Sequence, residues 1–465
     1  MKISYTWLKD YIKISDDPES LGKELTGTGL EVESIESYEE VEGSLEGLVV
    51  GEVMSSEKHP NADKLKVTKV NIGGDETLPI VCGAPNVEAG QKVVVAPIGT
   101  TLNHINGETF RIKKTKIRGE VSEGMICAED EIGLGEDHSG IIVLDPATPV
   151  GKHVAEHFSP YSDKVYEIGL TPNRADATSH IGVARDIRAI TGEKVILPSV
   201  DDFKVDNHEL PIEVIVKNTE ACPRYSGVTI KNVSIQESPR WLKNKLRSIG
   251  LSPINNVVDI TNFVLHEFGQ PLHAFDADKI TGNKVIVDTL PAGSKFITLD
   301  EAERDLLDTD LMICNAEEGM CIAGVFGGIK SGVTEHTKNI FLESAYFSPD
   351  YIRRTAHYHE LKTDASFRFE RGTDPEITVY ALKRAVMLIK ELAGGSISSE
   401  VVDVYPKKLQ PFKVKVSYAH VDRLIGKHIP ADEIKRILNL LDIDVKDETE
   451  KGFIAIVPQY RVDVY

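Results

Sequence analysis

The chain has 465 residues, 41% hydrophobic and 27% charged, with 53 Lys and Arg against 73 Asp and Glu for a formal charge of -20. That length predicts about three or more domains at roughly 150 residues each, and so acidic a surface excludes non-specific polyanion binding by the molecule as a whole. No apolar run approaches the roughly 18 to 20 residues of a membrane span, so no membrane contact is expected.

The opening MKISYTWLKDYIKIS (1–15) interleaves apolar residues with Lys2, Lys9, Asp10 and Lys13. It lacks the unbroken apolar stretch of a signal peptide, and a cytoplasmic location is expected. Asp17-Pro18-Glu19 predicts a helix start, and Gly27 and Gly29 break the pattern. From Leu45 the text turns to short β-branched runs: GLVVGEV (47–53), KLKVTKVNIG (64–73), TLPIVCG (77–83), QKVVVAP (91–97) and IIVLD (141–145). Closely spaced strands of this kind predict a small barrel. A helical stretch over 176–191 then precedes the Pro-containing LPSVDDF (197–203), which marks a boundary.

Residues 200–400 mix strand-like IEVIVK (212–217) and YSGVTI (225–230) with amphipathic helices, an α+β pattern. One helix over 240–249 aligns Leu242, Leu246 and Ile249 and stops at Gly250. Another is predicted to begin at Asp374-Pro375-Glu376, aligns Val379, Leu382, Val386 and Ile389, and ends at Gly394-Gly395. After Pro406 a last module carries the stripe Ile434, Ile437, Leu438 and Leu441 and stops inside FIAIVPQYRVDVY (453–465). An ending within an apolar strand leads us to expect a chain cut short on its C-terminal side.

Cys82, Cys127, Cys222, Cys314 and Cys321 form no C-x-x-C pair, so buried thiols are expected rather than disulfides or a zinc ribbon. Local basic patches stand out against the acidic total: 111–119 holds Arg111, Lys113, Lys114, Lys116 and Arg118 without an acid, and 224–250 is also basic. Either is a solvated face or a nucleic-acid contact. Phosphate-loop, zincin and nucleophile-elbow motifs are absent. His357-x-His359 lacks a further ligand at a recognisable spacing and reads as packing. Phe367-Arg368-Phe369-Glu370 carries the Arg-x-Glu with which class II synthetase strands hold substrate, but reads here as a structural ion pair.

The densest polar constellation is Asn255, Asn256, Asp259, Thr261, Asn262, His273 and Asp276, set in apolar text. Such groups must satisfy one another or a ligand. Glycines at 324, 327 and 328 allow close backbone approach, and Glu343 sits in an apolar run, where it faces either a pocket or an edge-strand cation.

HPNADKL (59–65), VCGAPN (81–86) and SEGM (122–125) resemble an OB-fold tRNA-binding module. NNVVDITNF (255–263), QPLHAFD (270–276), AGVFGG (323–328) and TDASFRFERGTDP (363–375) resemble the editing domain of bacterial phenylalanyl-tRNA synthetase β subunits. The resemblance runs the length of the chain. It implies a multidomain α+β fold: an OB-fold β-barrel (39–150) inserted in an N-terminal α/β domain (1–38 and 151–200), a mixed α+β editing domain (201–404), and a partial, small DNA-binding-like α+β domain (405–465).

In that family the editing domain hydrolyses tyrosine misattached to tRNA(Phe). By motif, His273, Thr261 and Asn262 fall at catalytic positions, and Glu343, Gly324, Thr363 and Ala365 at substrate-binding positions. Glu343 is then expected to accept the tyrosine hydroxyl as a carboxylate, and the Gly324 amide to serve an oxyanion. Lys113, Lys114, Lys116 and Arg118 are candidate tRNA contacts. Asp463 matches a magnesium ligand shared with the α subunit. The resemblance also implies ATP and Mg2+ in the complex of α and β subunits but neither in this chain alone, tRNA(Phe) and the α subunit as partners, and a heterotetramer of two α and two β chains. Two readings stay open: an editing hydrolase within a two-subunit ligase, or a non-catalytic tRNA-binding scaffold.

Overall fold

The computed structural model describes residues 1–104 and 106–465, which form two compact units: Ser37–Asp163, and Met1–Glu36 together with Lys164–Tyr465.

In the smaller unit the predicted β-branched runs become a six-stranded sheet. Its order is Gly124–Ile126, Lys92–Pro97, Val49–Lys58, Lys66–Asn71, Leu78–Cys82, with Val143–Leu144 also pairing Lys92–Pro97. The two ends of this order meet, since Glu123 N–H donates to the Pro79 carbonyl at 2.8 Å and Val81 N–H to Ser122 Oγ at 3.1 Å. The sheet therefore curls into a nearly closed barrel, which removes exposed strand edges. The unit runs past 150, because Val154 N–H donates to the Leu48 carbonyl at 3.0 Å and Val154 is buried in the barrel core with Leu48 and Leu144.

In the larger unit, Lys2–Ser4 pairs with residues 165–167, and Trp7 stacks between His180 and Phe263 with ring centroids 3.9 and 4.6 Å away. One apolar core consequently joins Ile3, Trp7, Ile181 and Ile187 to Val257, Ile260, Leu342 and Leu382. The predicted boundary near 200 does not separate two cores.

The site-bearing sheet is antiparallel, in the order Leu272–Asp276, Ile340–Tyr346, Arg224–Lys231, Ser396–Ile397. Alternation sends Ile340 and Leu342 into the core beneath the helices Asn256–Phe268 and Thr378–Ala393, and Phe341 and Ala345 into a second core against a five-stranded sheet containing Lys284–Thr289 and Leu311–Cys314.

One segment without a predicted element takes one, and two sequence expectations shift. NNVVDITNF is a helix, Asn256–Phe268, capped by Asn255, whose Oδ1 accepts from the N–H of Val257 and Val258. The helix predicted to begin at 374–376 starts at Thr378, because Asp374 Oδ1 takes the Glu376 N–H at 2.9 Å and forms a preceding turn. The Arg-x-Glu segment lies on and just after a helix, Asp364–Phe369, not on a strand. The C-terminal module is a three-stranded sheet, Phe412–Ser417, Gly452–Val457, Asp444–Thr449, with the helices Tyr418–Ile425 and Ala431–Leu440 and a core of Ile434, Ile443, Phe453 and Val457. All five cysteines are free and buried. Among the described residues, no helix is long and apolar enough to cross a membrane.

Candidate functional site

Strand register brings His273 and Glu343 together: they are direct antiparallel partners, and Gly227 stands opposite Glu343 on its other side. Gly227 lacks a side chain for a steric reason, as a Cβ there would lie 2.2 Å from Phe341 Cζ. Glu343 is thus in an interior strand, buried among aromatic rings, and not in an edge-strand ion pair. Its hydrogen bond among the described residues comes from Tyr225, whose hydroxyl donates to Oε2 at 2.7 Å. Burial pushes the Glu343 pKa up to about 8, against a smaller lowering by the Tyr225 hydrogen bond. The ionised carboxylate expected from the sequence is therefore a neutral carboxyl at pH 7. His273 is half-buried, and its Nε2 is sealed from solvent with no hydrogen-bond partner among the described residues. Burial lowers its pKa to about 4, so the ring is neutral. A neutral imidazole with a free ring nitrogen beside a neutral carboxyl is equipped to hold a hydroxyl or a water.

The glycine segment forms the next wall. Val325 N–H closes a turn onto the Ile322 carbonyl at 3.0 Å, with Gly324 at φ +68°. Among the described residues the Gly324 N–H has no hydrogen-bond acceptor. Thr363 latches this turn by donating its hydroxyl to the Val325 carbonyl at 3.0 Å while capping Asp364–Phe369, the helix that carries Ala365. A Cβ on Gly324 would lie 2.9 Å from Phe347 and Phe369 ring carbons. Gly324→Ala is therefore expected to cost about 2–4 kcal/mol, summing left-handed strain and overpacking. Urea unfolding checks this, and a loss below about 1 kcal/mol would refute the packing argument.

Thr261 and Asn262 lie on the Asn256–Phe268 helix. The Thr261 hydroxyl donates to its own helix at the Val258 carbonyl, 2.7 Å away, and neither residue hydrogen-bonds to His273 or Glu343 among the described residues. Most of the polar constellation is structural wiring: Asn256 Nδ2 donates to the Ser234 and Leu392 carbonyls, Asp259 accepts from Ser238, and Asp276 accepts from Thr337. His359 is likewise structural, with Nε2 2.7 Å from buried Asp310.

The barrel carries the basic face. Lys113, Lys114, Lys116 and Arg118 are all exposed, although Lys114 pairs with Glu123 at 2.5 Å. His59 anchors their hairpin: its Nδ1 accepts the Asn61 N–H, leaving Nε2 to donate to the Ile117 carbonyl at 3.1 Å. A cavity of about 810 Å³ is lined by Phe110, Arg111, Lys113 and Val81 to Pro85. A neighbouring one of about 660 Å³ shares Gly83 to Pro85 and adds Lys58, Lys64 and Lys66.

Family models match three segments: "B3/4 domain" over 221–394, "Putative tRNA binding domain" over 48–153 and "tRNA synthetase B5 domain" over 414–465. The phenylalanine–tRNA ligase beta subunits of Bacteroides thetaiotaomicron and Bacteroides fragilis are each 57% identical over the whole chain, and that of Porphyromonas gingivalis is 50% identical. The chain belongs to the phenylalanine–tRNA ligase β-subunit family. It spans 57% of the length of these relatives.

The resemblance gives Asp463 a magnesium role only together with the α subunit, and within this chain other residues hold it. Arg461 donates to both oxygens of Asp463, at 3.0 and 3.2 Å, and Asn173 Nδ2 donates to Oδ2 at 3.3 Å. Among the described residues, no cluster of three His, Cys, Asp or Glu side chains could hold a metal. The residues present around Asp463 thus do not fit a magnesium site in this chain by itself. Sequence reasoning missed Tyr225 at the carboxyl, and Phe110, Lys58, Lys64 and Lys66 on the barrel. The exposure of Phe110 beside Arg111 is a signal that an aromatic among basic residues could have given.

Proposed function

We propose that this β-subunit chain binds tRNA(Phe) and hydrolyses tyrosine misattached to it, supporting ATP-dependent aminoacylation on an α subunit that supplies the ATP site within a heterotetramer. The observation that carries the reading is the cross-strand pairing of Glu343 with His273, a buried carboxyl and a half-buried imidazole with unused hydrogen-bonding capacity. An apolar synthetic pocket rejects an added hydroxyl by only about 10²-fold, so a second, hydrolytic site that demands the hydroxyl is useful. Glu343 meets that demand as a neutral carboxyl, and phenylalanine would leave its buried oxygen unmatched. In this reading neutral His273 orients the attacking water or the ester, and the Gly324 N–H faces the developing oxyanion. Thr363 and Ala365 shape the turn and helix against which the aminoacyl group rests.

Deacylation of Tyr-tRNA(Phe) and Phe-tRNA(Phe) tests this directly. Selective clearance of tyrosine, abolished by His273→Ala, is the expected result. No hydrolysis of either ester above the uncatalysed rate by the folded chain would leave the scaffold reading.

For tRNA binding, the exposed cations and Phe110 suit a backbone-tracking groove with a base stacked on the ring. Replacing Lys113 and Lys116 together by alanine is expected to reduce the slope of log affinity against log salt by roughly 2. An unchanged slope would move the tRNA contact elsewhere on the chain.

A further inference from the structure

Tyr225 lies on the Arg224–Lys231 strand two residues from Gly227, so it shares the sheet face of Glu343 and reaches it diagonally. We propose that Tyr225 is a positioning residue for the editing site: its phenol occupies Glu343 Oε2 and leaves Oε1 as the single oxygen presented to the hydroxyl of a bound tyrosine. This rests on the editing reading above.

The phenol has no structural need of its hydroxyl. Tyr225 is fully buried, and its ring packs in the same apolar core as Phe275 and Phe341, where a phenylalanine would fill the volume. Bringing an O–H into such a core is costly without a partner, and the partner here is Glu343. The other titratable groups facing the carboxyl are His273 across the strand pair and the thiols of Cys222 and Cys321, which burial and the nearby carboxyl push up. Among the described residues, none of these hydrogen-bonds to it. Without Tyr225 the carboxyl could rotate and offer either oxygen; clamped, it has one orientation and one open valence. With Oε2 accepting from the Tyr225 phenol, the proton of the neutral carboxyl is left on Oε1, where it meets the substrate hydroxyl.

Two readouts on the full chain test the clamp. The carboxyl stretch of Glu343 is followed by infrared titration in the wild type and in Tyr225→Phe, with Glu343→Gln identifying the band by its loss. Clearance of Tyr-tRNA is measured alongside. Losing a donor to the carboxyl is expected to move the band midpoint up by about one pH unit, a tenfold change in proton affinity, and to slow tyrosine clearance by about tenfold. A midpoint that does not move overturns the inference whatever the editing assay gives. A moved midpoint with clearance within about twofold of wild type also overturns it, since orientation would then not matter. If the wild type clears no Tyr-tRNA, the editing reading fails, and the band still decides whether Tyr225 clamps Glu343.

Discussion

Glu343→Ala is expected to lower kcat/KM for deacylation of Tyr-tRNA(Phe) by about 10²-fold or more while leaving Phe-tRNA(Phe) hydrolysis within a few fold. The asymmetry follows from the site's chemistry. Tyrosine gains a hydrogen bond in a dry, apolar setting, whereas phenylalanine leaves Glu343 desolvated and unmatched; removing the carboxyl removes both the reward and the penalty. A variant that still clears tyrosine and spares phenylalanine would place hydroxyl recognition elsewhere. The same side chain makes stability depend on pH. Its pKa is raised from the ordinary glutamate value of 4.5 to about 8, so the fold holds the proton more tightly than the unfolded chain does. That contribution is fully present below pH about 4.5 and is lost as the pH rises through about 8. Glu343→Gln keeps the shape and cannot ionise. Relative to wild type it is expected to gain ~3–5 kcal/mol between pH 5 and pH 9, at about 1.4 kcal/mol for each tenfold difference in proton affinity between the folded and unfolded chain. Parallel urea-unfolding stabilities at both pH values would sink the buried-carboxyl argument.

What the sequence made legible was local. The runs around Val50, Val70 and Val94 read as strands because alternation and β-branching are properties of a few neighbouring residues. The stripe Leu242, Leu246 read as a helix for the same reason, and Gly250 as its end. The family motifs placed His273 and Glu343 in one site, and strand register makes them partners. What the sequence hid was partner choice at long range. For Asn255, Asn256 and Asp259 the choice between a ligand site and a structural network stayed open, because composition cannot distinguish a substrate from a backbone carbonyl 136 residues away, which is what Asn256 binds at Leu392. Tyr225 gave no signal, since the partner of its hydroxyl lies 118 residues away. The ionisation state of Glu343 was hidden too, because it depends on how completely three other segments exclude water from it.

Arg368→Met is expected to destabilise the fold by about 3–5 kcal/mol, the cost of leaving two buried acceptors without their donor. The sequence offered Arg368 and Glu370 as a pair, either binding a substrate or holding each other. The structure pairs Glu370 with Arg371 at 2.5 Å and buries Arg368 completely among other partners. Its guanidinium donates to the Thr178 carbonyl at 3.2 Å, to His266 Nδ1 at 3.2 Å, and to the carbonyl and carboxylate of Asp364 at 2.9 and 3.0 Å. It therefore clips together three segments: the approach to the His180–Thr191 helix, the Asn256–Phe268 helix, and the short helix that presents Ala365. Methionine fills the stem's volume but leaves the Thr178 carbonyl and His266 Nδ1 buried without donors. Lysine does not repair this, because one ammonium cannot reproduce a planar fork aimed at separated acceptors. Since Thr363 reaches the Gly324 turn from the same short helix, loosening the clip is also expected to slow Tyr-tRNA clearance under conditions where the variant remains folded. Equilibrium unfolding of Arg368→Met and Arg368→Lys beside wild type reads the first effect, and clearance at low temperature the second. A variant within about 1 kcal/mol of wild type would mean that the segments are held by their apolar core alone, with the guanidinium only filling space between them.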